Sequence, residues 1–135
     1  MTNIAFVCVQ NAGRSQMATA FAKREREKRG LDSVAIHSGG THPADAVHDI
    51  VIEVMAEEGI DLSDRTPRKL TDEELDSCRY VATMGCSTLS LPPGIEVRDW
   101  DLDDPHGTSL TEARRIREEV KQRVGSLFDE LGDET

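Results

Sequence analysis

The sequence predicts an α/β fold, a single three-layer domain spanning residues 1–135, in which a four-stranded parallel sheet carries helices on both faces. Three observations predict it. Short apolar runs rich in β-formers alternate with segments whose apolar residues fall at helical spacing. The first of those runs is apolar throughout, as in a strand covered on both sides. Hydrophobic residues make up 37% of the chain and aromatics only 4%, so the core must be built from Val, Ile, Leu, Ala and Met, which suits stacked layers.

Taken in order, Ile4 to Val9 (IAFVCV) is the first strand and ends at Gln10. From Arg14 the spacing becomes helical, with Met17, Ala18, Phe21 and Ala22 on one face, and the charged run Lys23 to Arg29 leads to a stop at Gly30. Mixed signs make that run a solvated helix face. Val34 to Ser38 is a second strand, closed by Gly39 and Gly40. Val47, Ile50, Val51, Val54 and Met55 mark an amphipathic helix that stops at Gly59. Arg79 to Met84 is a third strand and Glu96 to Trp100 a weaker fourth. The last helix begins near Ser109 or Thr111 with a stripe through Leu110, Ala113, Ile116, Val120, Val124 and Leu127, and Gly125 is expected to weaken its final turns. In such sheets ligands bind beyond the carboxyl ends of the strands, where Cys8 falls.

Charge excludes two classes of partner. Sixteen Lys and Arg against twenty-six Asp and Glu leave a formal charge of −10, which repels nucleic acid and anionic membrane surfaces. That density of acid also fits a protein kept soluble at high salt. Met1 to Val9 lacks a basic leader and a cleavage site, and no run approaches the ~20 apolar residues of a membrane span, so a cytoplasmic location is expected. Three widely spaced cysteines, Cys8, Cys78 and Cys86, make no disulfide framework and read better as thiols.

The chemistry is concentrated in Cys8-Val9-Gln10-Asn11-Ala12-Gly13-Arg14-Ser15, which joins the first strand to a helix start. The residues between thiol and guanidinium can curl so that backbone N–H groups converge on one point, a nest for an anion backed by the helix dipole. Ala12 and Gly13 are small enough to permit the curl, and Asn11 tolerates a left-handed backbone while its amide ties the loop together. The same groups favour a thiolate at Cys8 at neutral pH. Ser15 can donate to that sulfur, and Arg14 offers a planar fork to two oxygens of a tetrahedral oxyanion. Displacement at the central atom also needs an acid for the departing oxygen. Asp104, restricted by Pro105, is the candidate, with Asp101 and Asp103 as rivals.

On these residues the chain resembles the low-molecular-weight protein tyrosine phosphatase superfamily, including its arsenate reductase branch. The anchors are CVQNAGRS near the amino terminus and Asp104-Pro105 about ninety residues later. The resemblance implies a phosphate-binding loop after the first strand, with Cys8 as nucleophile, Arg14 as oxyanion clamp, Ser15 as thiolate stabiliser, Asn11 as loop brace and Asp104 as proton donor. It implies a small tetrahedral oxyanion, arsenate or phosphate, or a phosphotyrosine as ligand.

Within the superfamily, SGGTHPADAV, VMAEEGIDLSDRTPRKLT and RSQMA are similar to the arsenate reductase branch, and His106 stands where phosphatases often place a tyrosine. The chain also has few aromatic residues to wall a phenyl ring. A thiol-dependent arsenate reductase releasing arsenite is therefore expected ahead of a phosphatase working through a cysteinyl-phosphate. No bound cofactor is expected. In this branch electrons arrive through thiols, so thioredoxin or a low-molecular-weight thiol is the expected reductant. Cys86 is the internal redox candidate, but the loop after it, STLSLPP, holds no further cysteine. A Cys8 to Cys86 disulfide and release by an external thiol both stay open. Cys78 reads as a packed thiol, and His37, His42 and His48 show no zinc-ligand spacing, so no metal is expected.

Overall fold

A computed structural model describes residues 2–84 and 94–134, with the side chains of residues 133 and 134 outside the description. Its elements run β1 (Thr2–Cys8), α1 (Arg14–Arg29), β2 (Val34–Gly40), α2 (Asp49–Ala56), α3 (Asp72–Asp76), β3 (Tyr80–Met84), β4 (Glu96–Asp99) and α4 (Leu110–Glu134). The four strands form one sheet in the order β2-β1-β3-β4, and every pairing is parallel. The α/β class and the all-parallel sheet read from the sequence are thus what the chain adopts.

Alternation along β1 explains the layers. Ile4, Phe6 and Cys8 point into a large core shared with α1, α2 and α4, through residues such as Met17, Phe21, Val54, Ile116 and Phe128. Ala5 and Val7 point the other way, onto Leu70, Leu75 and Cys78. Both faces of β1 are covered, which is why IAFVCV lacks polar alternation. The face carrying α3 is thin because that helix has five residues.

Differences from the sequence reading lie at element ends and in one helix. Strand β2 runs on through Gly39 and Gly40 because those residues pair with Val7 and Cys8. His48 stands at the N-cap of α2, ahead of the helix. Helix α4 continues past Gly125 to Glu134, since Leu127, Phe128 and Leu131 bury their side chains and outweigh the glycine. Helix α3 was not anticipated. Its signal was present as a capping box, with Glu74 N–H donating to Thr71 Oγ1 and Thr71 N–H donating to Glu74 Oε1.

The site is positioned by the register of β1. Cys8 is the last residue of a central strand, flanked by Gly40 of β2 and Met84 of β3. Gly40 is required by close approach: a Cβ there would lie 2.5 Å from Val9 O and 2.8 Å from Asn11 N. The absent side chain lets the end of β2 lie against the loop after Cys8. Gly40→Ala is expected to cost about 1–3 kcal/mol of stability through overpacking. Chemical denaturation of the two proteins, with and without phosphate, measures this and should show less stabilisation by phosphate in the variant.

Candidate active site

Residues 9–13 carry the chain from β1 to α1 as a closed loop. Asn11 is the single non-glycine described residue with positive φ, at 51°, a conformation that its short polar side chain tolerates. Its side chain holds the loop from within. Asn11 Nδ2 donates to Ser15 Oγ at 2.7 Å and to Ser38 Oγ at 2.9 Å, while Oδ1 accepts from Arg68 N at 3.0 Å and Gln16 Nε2 at 3.1 Å. Asn11 is fully buried, so these bonds answer the cost of taking its amide out of water.

The direction of the loop amides follows from their carbonyls. Cys8 O accepts from Thr41 N, Val9 O from His42 N, Gln10 O from Ala44 N and Ala12 O from His48 N, so all four point to the segment after β2. In a trans peptide the next N–H points the opposite way, and no described peptide bond is cis. The amides of Val9, Gln10, Asn11 and Gly13 therefore turn inward. That of Asn11 reaches Cys8 Sγ at 3.2 Å. Helix α1 begins behind the loop with no side-chain cap and no acid in its first turn, which leaves its amino-terminal N–H groups for an anion.

At the centre, Cys8 Sγ lies 2.8 Å from Ser15 Oγ. Because Ser15 Oγ accepts from Asn11 Nδ2, its proton is free to go to the sulfur. Cys8 is 3% exposed and opens onto a cavity of about 220 Å³ lined by Cys8, Val9, Gln10, Gly13, Arg14, His48 and Asp104. Arg14 Nη1 donates to Leu102 O at 2.9 Å, and Nη2 stands 3.9 Å from Asp104 Oδ2. The guanidinium is thus tethered to the loop that carries Asp104.

Of the three aspartates weighed from the sequence, Asp104 alone lines this cavity. Its Oδ1 accepts from His106 N at 2.9 Å, while Asp103 faces outward to Arg115. Cys78 is buried and donates to Glu74 O, and burial pushes its thiol up to about 11, which leaves it unreactive. Cys86 lies outside the described residues. Among those described, no group of three His, Cys, Asp or Glu side chains converges as a metal site. His37 bonds Glu74 and Asn3 instead.

Sequence reasoning missed three contributors. Ser38 and Arg68 brace Asn11 from 27 and 57 residues away, distances that no local motif spans. His48 joins the cavity wall because it precedes α2, where its backbone reaches Ala12. The spacing of the apolar residues had put it inside the helix.

Residues 3–135 match the model of the low molecular weight phosphotyrosine protein phosphatase family. The chain belongs to that family. A putative arsenate reductase of Halobacterium salinarum is 63% identical over 132 residues, covering 96% of this chain and 93% of the relative. The glutaredoxin arsenate reductase of Synechocystis is 36% identical over 136 residues, covering 97% and 99%. The solved thioredoxin-dependent arsenate reductase of Corynebacterium glutamicum superposes with a TM-score of 0.84 at 33% identity; it is matched by 100% of this chain, which spans 64% of its length.

Two titrations follow from the geometry of this family member. Burial, then the neighbouring His106, lowers His48 below its ordinary 6.5. The unfolded chain takes up that proton more readily, so this group adds stability as pH rises through 6.5 and removes it below. Imidazole NMR titration should give His48 a midpoint under 6.5, moving upward in His106→Ala.

Glu74, held by Arg68 and also by Thr71 and His37, is lowered from 4.5 to about 2. Its contribution to stability is present above 4.5 and is lost as pH falls through about 2. Denaturant midpoints between those limits should depend less on pH in Glu74→Gln than in the wild-type protein.

Proposed function

We propose that this chain, acting as one domain, is a thiol-dependent arsenate reductase in which Cys8 is the nucleophile. One observation carries the reading: a cysteine at the end of the central strand, hydrogen-bonded to Ser15, opens onto a cavity that also holds Arg14 and Asp104. The arsenate reductases among its relatives support arsenate as the anion.

The reaction divides into two displacements. Arsenate enters with its oxygens toward the amides of Val9, Gln10, Asn11 and Gly13, with Ala12 and Ser15 completing the turn and Arg14 bidentate on two of them. Cys8 thiolate attacks arsenic, Ser15 having steadied the sulfur, and an oxygen opposite leaves as water after Asp104 gives it a proton. A second thiolate then attacks Cys8 sulfur. The electron pair of the sulfur–arsenic bond passes to arsenic, which departs as arsenite, and a disulfide remains on Cys8. A further thiol reduces that disulfide.

The second thiol is external in this reading, with Cys86 as the internal alternative. Thioredoxin, glutaredoxin and a low-molecular-weight thiol are the donors that the relatives' names and this chemistry suggest. A cytoplasmic setting, where thiols stay reduced, fits this need. No described helix is long and apolar enough to cross a membrane.

Incubation of the protein with arsenate and each donor, followed by assay of arsenite, tests the proposal. Arsenite should form with at least one donor, vanish in Cys8→Ser, and fall by about 10²-fold to 10⁴-fold in kcat in Asp104→Asn. Hydrolysis of an aryl phosphate by Cys8, with no arsenite from any donor, would establish the phosphatase alternative.

A further inference from the structure

Outside the Cys8 cavity stands a charged cluster that the reaction above does not use. Glu74, on α3, accepts two bonds from the guanidinium of Arg68, Nη1 to Oε2 at 3.1 Å and Nη2 to Oε1 at 2.6 Å. Nη1 also donates to Ser38 O at 3.0 Å. The carboxylate is held in turn: Thr71 N donates to Oε1 at 3.1 Å, and His37 Nδ1 lies 3.2 Å from Oε2. A half-exposed ion pair contributes little to stability by itself. This one is bidentate with both partners fixed by further bonds, so it sets position.

Arg68 is also where this segment meets the Cys8 loop. Its N–H donates to Asn11 Oδ1 at 3.0 Å, and its carbonyl accepts from Gly40 N at 2.9 Å. The approach is close: a Cβ on Gly39 would lie 2.7 Å from Leu70 N and 3.2 Å from Arg68 O. Residues 66–70 belong to no helix or strand, so side chains must hold them against the loop. Pro67 and Leu70 are buried and anchor the apolar side; the guanidinium of Arg68 anchors the polar one.

Displacement of Arg68 would reach the sulfur through Asn11. Its Nδ2 serves Ser15 and Ser38 only while Oδ1 keeps its own donors, Arg68 N and Gln16 Nε2. Asn11 is fully buried, so an Oδ1 that loses a donor is answered by turning the amide. Turning it withdraws Nδ2 from Ser15 Oγ, whose proton is then no longer committed to Cys8 Sγ.

We propose that Glu74 is a positioning residue for the chemistry at Cys8: by gripping the Arg68 guanidinium it keeps the Arg68 amide on Asn11, and through Asn11 the Ser15 hydroxyl on the sulfur. The proposal rests on the assignment of Cys8 as nucleophile. It gives the five-residue α3 a task, since the capping box fixes the carboxylate that Arg68 meets. Glu74, lowered to about 2 chiefly by Arg68, stays ionised through the neutral range. The titratable groups around it are Arg68, His37 and Cys78, and those lining the cavity with Cys8 are Arg14, His48 and Asp104.

Alkylation of Cys8 by iodoacetamide over a pH series, with each rate read by mass spectrometry, tests this without needing turnover. Glu74→Gln keeps the capping box, because glutamine fills the same place, and loses the charge. Arg68→Met keeps the main-chain N–H and loses the guanidinium. Both rate profiles should move upward by about one pH unit, an approximately tenfold loss of reactive sulfur on the acid side. The double variant should move no further, since both residues act along one path. Thr71→Ala is the control for mere loosening of α3: it costs stability through the cap and should leave the profile within about a third of that shift. Unmoved profiles in both single variants, additive shifts in the double variant, or a Thr71→Ala shift as large as theirs would overturn the proposal. If wild-type protein makes no arsenite yet the profiles move as stated, the reductase reading fails and the positioning role stands. If wild-type Cys8 reacts no faster than a free thiol, both fall together.

Discussion

The site depends on the burial of one asparagine amide in a left-handed turn. Asn11 reaches Ser15, Ser38, Gln16 and the backbone of Arg68 with its side chain, and Cys8 with its own N–H. A buried amide left unpaired would cost more than a typical hydrogen bond returns, so the loop has one arrangement that satisfies it. In that arrangement the carbonyls face the segment after β2 and the amides face the cavity. The inward aim of the amides is then a consequence of how the backbone carbonyls are satisfied elsewhere.

From that constraint the remaining parts take their places. Ser15, fixed by Asn11, presents its proton to Cys8. Arg14 starts α1 and is tethered to Leu102 O, so its guanidinium is joined to the loop that carries Asp104. The same loop brings the His106 ring onto His48. The fold contributes the meeting point: parallel pairing of β1 with β2 and β3 brings the carboxyl ends of three strands together at one end of the sheet. Arsenate and phosphate have nearly the same shape and charge, so a ring of amides by itself offers no means of telling them apart. In the proposed reaction the two part ways at the thiol that follows.

Much of this was legible in the sequence because the information was local. IAFVCV, with its lack of polar alternation, announced a strand covered on both faces, and Cys8 to Ser15 carried thiol, turn residue, guanidinium and hydroxyl in one stretch. Pro105 drew attention to Asp104, but that Asp104 lines the cavity and Asp101 and Asp103 do not is visible only in the fold. Contacts over long separations were not legible. Nothing around Ser38 or Arg68 indicates that each would bond Asn11, and the apolar period that revealed α2 could not show that His48 stood just before it. Helix α3 hid for another reason. Its capping box was readable, but five residues bury too little apolar surface to leave a periodic pattern.

The central claim is that Cys8 sits as an accessible nucleophile inside a preformed anion cradle. Alkylation by iodoacetamide at neutral pH, mapped by mass spectrometry with and without arsenate, tests it most directly. The account predicts rapid modification of Cys8 that arsenate suppresses saturably, with the buried Cys78 left unmodified. Modification of Cys8 no faster than that of a free cysteine, and indifferent to arsenate, would contradict it.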